Sequence, residues 1–449
     1  MSADRSQVPR STPLPRLSFP GYERRRLSSG LEWILVPRTG VPLVEALLLL
    51  PAGGDRDPRA RPGLASLTAA LVDEGTRRRS GPELALDVER LGARLSTAAG
   101  WDAAQIEIEL LAPDLERGLR TVAEVAREPI FPEAELERLR HQVLTEIGRR
   151  RDQPPLLAEE ALATTLYEGD AYDHLLQGTA ESLAALSREE VARFHTEGFL
   201  PRGAHLLLGG DIAAEEAEAL VESIFGDWSP DVLPTPPPTI LAPESVRRVV
   251  VVDLPEAAQT ELRIGHAGVP RTHPDRSRLG VLNALLGGKF TSRLNLNLRE
   301  RHGYTYGVSS RFVDRRGPGP FVVAAAVGTE VAGAAVRETL AELERLRDSP
   351  VSDAELDETR SYLLGVFPYT LQTIDGLLAR LADLALHGLE DGYLERSLDE
   401  IRDTSAAEIL RLARAHLDPE RAAIVAVGPA ATLAPQLEAF GSVEIVRPA

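Results

Sequence analysis

Pro230, Pro234, Pro236, Pro237, Pro238 and Pro243 crowd into one stretch of the chain. Proline fixes φ and removes a backbone donor, so neither a helix nor a central strand can run through such a stretch. Residues 229–246 therefore read as a linker. It divides the 449-residue chain into an N-terminal domain, 25–228, and a C-terminal domain, 247–449, preceded by a flexible N-terminal extension, 1–24.

The two halves read as copies of one another, the first possibility to test in a chain of this length. The first opens with Trp33–Val36 and Val44–Leu50, passes a loop holding Pro58, and enters an apolar-periodic segment, Gly63–Leu71. The second opens with Val249–Val252 and Glu261–Ala267, passes Pro274, and enters Leu279–Leu286. Pro58 and Pro274 stand 274 − 58 = 216 apart, and the closing glycines of the two halves, Gly210 and Gly428, 428 − 210 = 218. Short β-rich runs such as Gln105–Leu110 mix with helical patterns over Leu136–Ile147 and Ala354–Gly365. The fold class expected is α+β, duplicated, each domain a mainly antiparallel sheet packed with helices.

Composition removes several function classes. The chain carries 50 Lys plus Arg against 68 Asp plus Glu, a formal charge of −18, which repels a phosphate backbone and argues against nucleic acid as a partner. With no cysteine, disulfides, Cys-ligated zinc, iron–sulfur clusters and a thiol nucleophile are excluded. No apolar run approaches the ~20 residues of a membrane span. Residues 1–26 hold no signal-peptide core, so the chain reads as cytoplasmic, or periplasmic if a signal has been removed. No Gly-rich phosphate loop or serine elbow is present.

Chemistry concentrates in Leu298-Arg299-Glu300-Arg301-His302-Gly303-Tyr304-Thr305-Tyr306-Gly307-Val308. A helix is expected to end at Gly303, with a strand carrying Tyr304 and Tyr306 on one face beginning at once. Arg299 would then lie on the last helical turn, and a guanidinium with a phenol could hold a peptide carbonyl and the oxyanion it becomes. By pattern alone the plainer reading is preferred: Arg299 paired with a nearby acid, Tyr306 filling a core.

The stretch LNLNLRERHGYTYGVSSRF, with Gly287-Gly288 before it, resembles the second-domain signature of the pitrilysin-type zinc peptidases. That family includes mitochondrial processing peptidase and small two-subunit bacterial zinc proteases. The resemblance extends over residues 25 to 440 and implies two homologous α+β domains forming a clamshell half. It also implies that Arg299 and Tyr306 help bind substrate and stabilise the transition state. The family's zinc site is an H-x-x-E-H on a helix of the first domain, where two histidines hold the metal and the glutamate is general base. Here Ser66, Ala69 and Ala70 stand in those places. Glu146, near the place of the family's third ligand, is read as a helix-surface or interdomain salt-bridge residue.

None of the nine histidines stand three or four apart as a helical ligand pair would, so metal binding by this chain alone is not expected. The family adds its peptide to an exposed edge strand. The corresponding stretch is Gly92–Trp101, with Ser96 where relatives usually carry Asn. The resemblance therefore implies a zinc-free subunit, inactive alone, lending Arg299 and Tyr306 to a zinc site on a homologous partner with an intact H-x-x-E-H. Its substrates would be extended peptides, basic ones preferred by a chain so acidic. The alternative is a peptidase-derived binding or scaffold protein with no part in proteolysis.

Overall fold

The computed structural model describes residues 16–150, 152–229, 240 and 246–448. Most of the expected linker 229–246, and residues 1–15 of the extension, lie outside the described residues. The rest of the extension is pinned rather than loose. Phe19 N–H donates to Glu395 and the Tyr22 hydroxyl to Asp391, and a strand begins at Glu23.

Two six-stranded sheets organise the chain. The first contains β1 (Glu23–Arg26), β2 (Glu32–Pro37), β3 (Leu43–Leu50), β4 (Arg94–Ala99), β5 (Ala104–Leu111) and β6 (His205–Gly210), in the order β1-β2-β6-β3-β5-β4. The second contains β7 (Val249–Asp253), β8 (Thr260–Ala267), β9 (Val308–Phe312), β10 (Pro320–Val327), β11 (Ala423–Gly428) and β12 (Val443–Val446), in the order β12-β7-β11-β8-β10-β9. Five strands repeat position for position: β3 and β8 start 260 − 43 = 217 residues apart, β6 and β11 423 − 205 = 218. The sixth differs in source. In the first sheet it is β1, which comes before the five in sequence and runs antiparallel to its neighbour; in the second it is β12, which comes after them and runs parallel. The helical patterns are borne out as helices Glu133–Arg150 and Asp353–Val366.

The Leu47–Leu50 run is apolar throughout because β3 is covered on both faces. Leu48 and Leu50 join Trp33, Leu206 and the helices of the same domain in one core. Leu47 and Leu49, with Ile34, Val36 and Leu207, instead pack against Leu377, Leu378 and Leu381 of helix Ile374–Leu386, which belongs to the other domain. The converse holds for the second sheet. Helix Pro154–Tyr167 of the first domain lays Leu157, Leu162 and Leu166 against Val250, Val252, Val425 and Val427. The two helices start 374 − 154 = 220 residues apart, so equivalent helices of the duplicated unit are exchanged and the domains interlock. The loop after β9 adds a third tie: Arg316 pairs with the buried Asp55, and the Arg315 guanidinium lies over Trp101 and Tyr172, 4.5 and 4.3 Å from the ring centroids.

Candidate functional site

The Arg299 segment ends a helix that widens as it finishes. Residues Ala284–Gly288 and Asn295–Arg301 have π-helical hydrogen bonding, a form often found at functional sites. Gly287 is needed there because a β-carbon would stand 2.6 Å from Ser310 Oγ of β9. Gly303 ends the helix at φ +66°, with its N–H on Arg299 O and the Tyr304 N–H on Leu298 O.

The strand expected from Tyr304 onward begins only at Val308. Local bonds explain the delay. The Thr305 hydroxyl donates to Gly307 O and accepts from Gly307 N–H, and the Tyr304 ring stacks on His302. The buried Asn295 side chain takes both backbone groups of Val308, donating to its carbonyl at 2.8 Å and accepting from its N–H at 3.2 Å. Tyr306 is therefore carried on a loop fastened at both ends.

Tyr306 is 91% exposed, so it fills no core. Arg299 is one-third exposed; its Nε lies 3.6 Å from Glu300, and its guanidinium carbon 4.3 Å from the ring centroid of Phe290, itself 69% exposed. Among the described residues no hydrogen bond or cation–π contact joins Arg299 to Tyr306. Both side chains are open to solvent, as is that of Leu296.

The other sequence candidates lie in the first domain. Ser66, Ala69 and Ala70 sit on helix Leu64–Leu71, held at its start by Asp57, which accepts from Gly63 N–H and Ala65 N–H at 2.7 Å each. Ser66 and Ala70, one turn apart, are half-buried, whereas Ala69 is in the core. None of these three side chains offers the nitrogen or carboxylate oxygen that zinc takes in such a site. Glu146 is exposed on helix Glu133–Arg150 and accepts from Gln142; among the described residues it makes no ion pair, unlike the expectation. The stretch Gly92–Trp101 contains β4, which is an edge of the first sheet.

The structure also gathers a trio that sequence spacing missed. His273, Asp275 and His416 bring ligand atoms within 4.8 Å of one another. They escaped notice because His416 is 141 residues beyond Asp275. Asp275 already receives both branches of the Arg411 guanidinium and His416 Nε2 at 2.8 Å, which hold its carboxyl well below the usual range. A metal would have to displace a cation already seated there, so the trio is an ion network at the start of helix Arg276–Asn283.

Residues 35–180 match the family described as "Insulinase (Peptidase family M16)", and residues 185–363 the one described as "Peptidase M16 inactive domain". The chain belongs to the M16 peptidase family. M16 relatives include an uncharacterized zinc protease of Streptomyces coelicolor, 24% identical over 84% of this chain and 83% of that protein. The mitochondrial-processing peptidase subunit beta of Rattus norvegicus is 25% identical over 66% of this chain and 60% of its own length. A Helicobacter pylori relative named a non-peptidase homolog is 22% identical over 82% and 84%. Among solved structures, a peptidase M16 inactive domain from Pseudomonas fluorescens superposes with a TM-score of 0.85 at 25% identity, covering 91% of this chain and 98% of that one. These relatives bear out the family and the duplicated α+β architecture. Among the described residues no helix is long and apolar enough to cross a membrane.

Proposed function

We propose that this chain is the zinc-free subunit of a heterodimeric M16 peptidase, supplying Arg299 and Tyr306 to a zinc site on a homologous partner with an intact H-x-x-E-H. The observation that carries this reading is the exposure of the Tyr306 phenol on a loop fixed by Gly303, Thr305 and Asn295. An aromatic residue left almost wholly exposed, yet carried on a loop held in place, suits contact with something outside its own chain. Ser66, Ala69 and Ala70 complement this: the chain keeps donors for the scissile carbonyl and lacks ligands for the metal.

In this reading a zinc held by the partner would supply an activated water on one side of the scissile bond. The Tyr306 hydroxyl and Arg299 guanidinium donate to the carbonyl oxygen from the other as it gains charge, and such preorganised donors stabilise the oxyanion. The guanidinium is free to turn from Phe290 to substrate because the exposed stacking contact is weak. The substrates are extended peptides, for which edge strand β4 offers main-chain partners despite Ser96.

The test is hydrolysis of a quenched basic peptide by the chain alone with zinc, by the H-x-x-E-H partner alone, and by the mixture. Activity only in the mixture supports the proposal; zinc-dependent activity of the chain alone overturns it. The name of the Helicobacter pylori relative favours a second reading, a scaffold without peptidase function. Silence of the mixture, with the two chains still associated, would select it.

A further inference from the structure

Glu45 is an unusual residue for the centre of a sheet. It is the third residue of β3, only 5% exposed, and among the described residues no hydrogen bond or ion pair reaches its carboxylate. Its oxygens are not shut off from solvent but face the cavity beside them, so a carboxylate with no partner in its own chain is open to one brought in from outside. The cross-strand register makes matters worse: Glu45 is directly opposite Glu109, and the next residue along that face of β5 is Glu107. Like charges so placed repel.

Over this face stands the start of helix Ile374–Leu386, capped by Thr373, with Asp375 in its first turn. The space between helix and sheet is a cavity of about 550 Å³, lined by Glu45, Glu107, Glu109 and Asp375 against only two cations, Arg38 and Arg94. Arg38 is committed to the carbonyl of Leu371. Arg94 opens β4, so the cavity adjoins the exposed edge of the sheet.

We infer that this cavity is a subsite for a cationic side chain, arginine or lysine, of a peptide held against the first domain, with Glu45 as its buried counter-ion. The volume is that of a site for a small organic group. The carboxylates do not converge on a point: among the described residues no three of them bring ligand oxygens within 4.8 Å of one another. A guanidinium, with donors spread over a planar fork, meets separated oxygens where a bare metal ion would not. The Glu45 carboxyl, pushed up to about 7 by burial and by Glu107, Asp375 and Glu109, would regain its ordinary acidity beside such a cation.

This subsite rests on the peptide-binding reading above, so its test uses no catalysis. Nα-acetyl-arginine amide and its neutral citrulline counterpart are titrated calorimetrically into the full chain without partner. The arginine probe is expected to bind at least tenfold tighter than citrulline. Glu45→Gln, isosteric at a buried position, is expected to weaken arginine binding at least tenfold. Asp375→Asn, exposed on the far wall, is expected to weaken it severalfold without touching the core. Equal binding of the two probes, an unaltered affinity in Glu45→Gln, or displacement of the probe by equimolar calcium would overturn the subsite whatever the mixture's activity. Arginine-selective binding alongside an inactive mixture would support the subsite and count against the peptidase reading alone.

Discussion

A β-carbon on Gly209 would stand 2.7 Å from Ile374 Cγ2. The glycine is what lets a helix of the second domain lie directly on β6 of the first, and Leu378 follows it at 3.0 Å. Interior packing has no slack to absorb such an intrusion. Gly209→Val is therefore expected to lower the unfolding midpoint of the whole chain. Leu378→Ala is expected to cost ~2–5 kcal/mol in chemical denaturation. A change confined to one of two separate transitions would contradict the interlock.

The exchange of helices makes each domain depend on the other. Residues 1–228 expressed alone would leave Ile34, Val36, Leu47, Leu49 and Leu207 bare, an apolar surface that drives association. That fragment is expected to aggregate, and to be rescued by co-expression with 247–449. A stable, monomeric fragment by light scattering would show that the second domain is not needed.

Much of this arrangement was legible in the sequence. A constant offset of 216 to 218 residues announced the duplication because the hydrophobic rhythm of equivalent strands was kept. The exchange of helices was not legible: Leu157, Leu162, Leu377 and Leu381 declare a buried face but not whose sheet buries it. At the candidate site the Gly303 turn was readable, since a helix end asks for a left-handed residue. The loop from Tyr304 to Gly307 was misread as strand because alternating aromatics carry the strand pattern, and the Thr305 bonds that override it are local. Glu45 was invisible, since one glutamate in an apolar run says nothing about its depth.

Glu45 gives stability a pH dependence of definite sign. Its folded-state value, near 7, exceeds the unfolded carboxylate value, so its contribution is complete below the unfolded value and is lost as pH rises through about 7. Glu107, Glu109 and Asp375 reinforce the effect, while Arg94, and Arg38 on the cavity wall, oppose it. The unfolding midpoint is expected to fall between pH 6 and pH 8, where burial also pushes the Asp55 and Asp57 carboxyls up to about 6 and about 7, and Glu45→Gln to remove its own share of that slope and raise the pH 8 value by about 2 °C for each kcal/mol recovered. An unchanged slope in the variant would place the titrating group elsewhere.

Helix Leu64–Leu71 supplies a test by restoration. Ser66→His, Ala69→Glu and Ala70→His together recreate H-x-x-E-H with both imidazoles one turn apart. The triple variant is expected to retain zinc through dialysis at least tenfold more tightly than the native chain, with Glu146→Gln weakening it. Equal metal content in the two proteins would show that these are not the positions of the lost site.

The central claim is that Tyr306 acts on substrate across the interface with a zinc-bearing partner. The most direct measurement is the turnover of the mixed complex when Tyr306 is replaced by Phe, which removes one hydroxyl from an exposed ring and leaves folding and association intact. The account predicts a loss of ~10²-fold or more in kcat with little change in KM, the signature of a donor felt mainly in the transition state. Native turnover in Tyr306→Phe would contradict it.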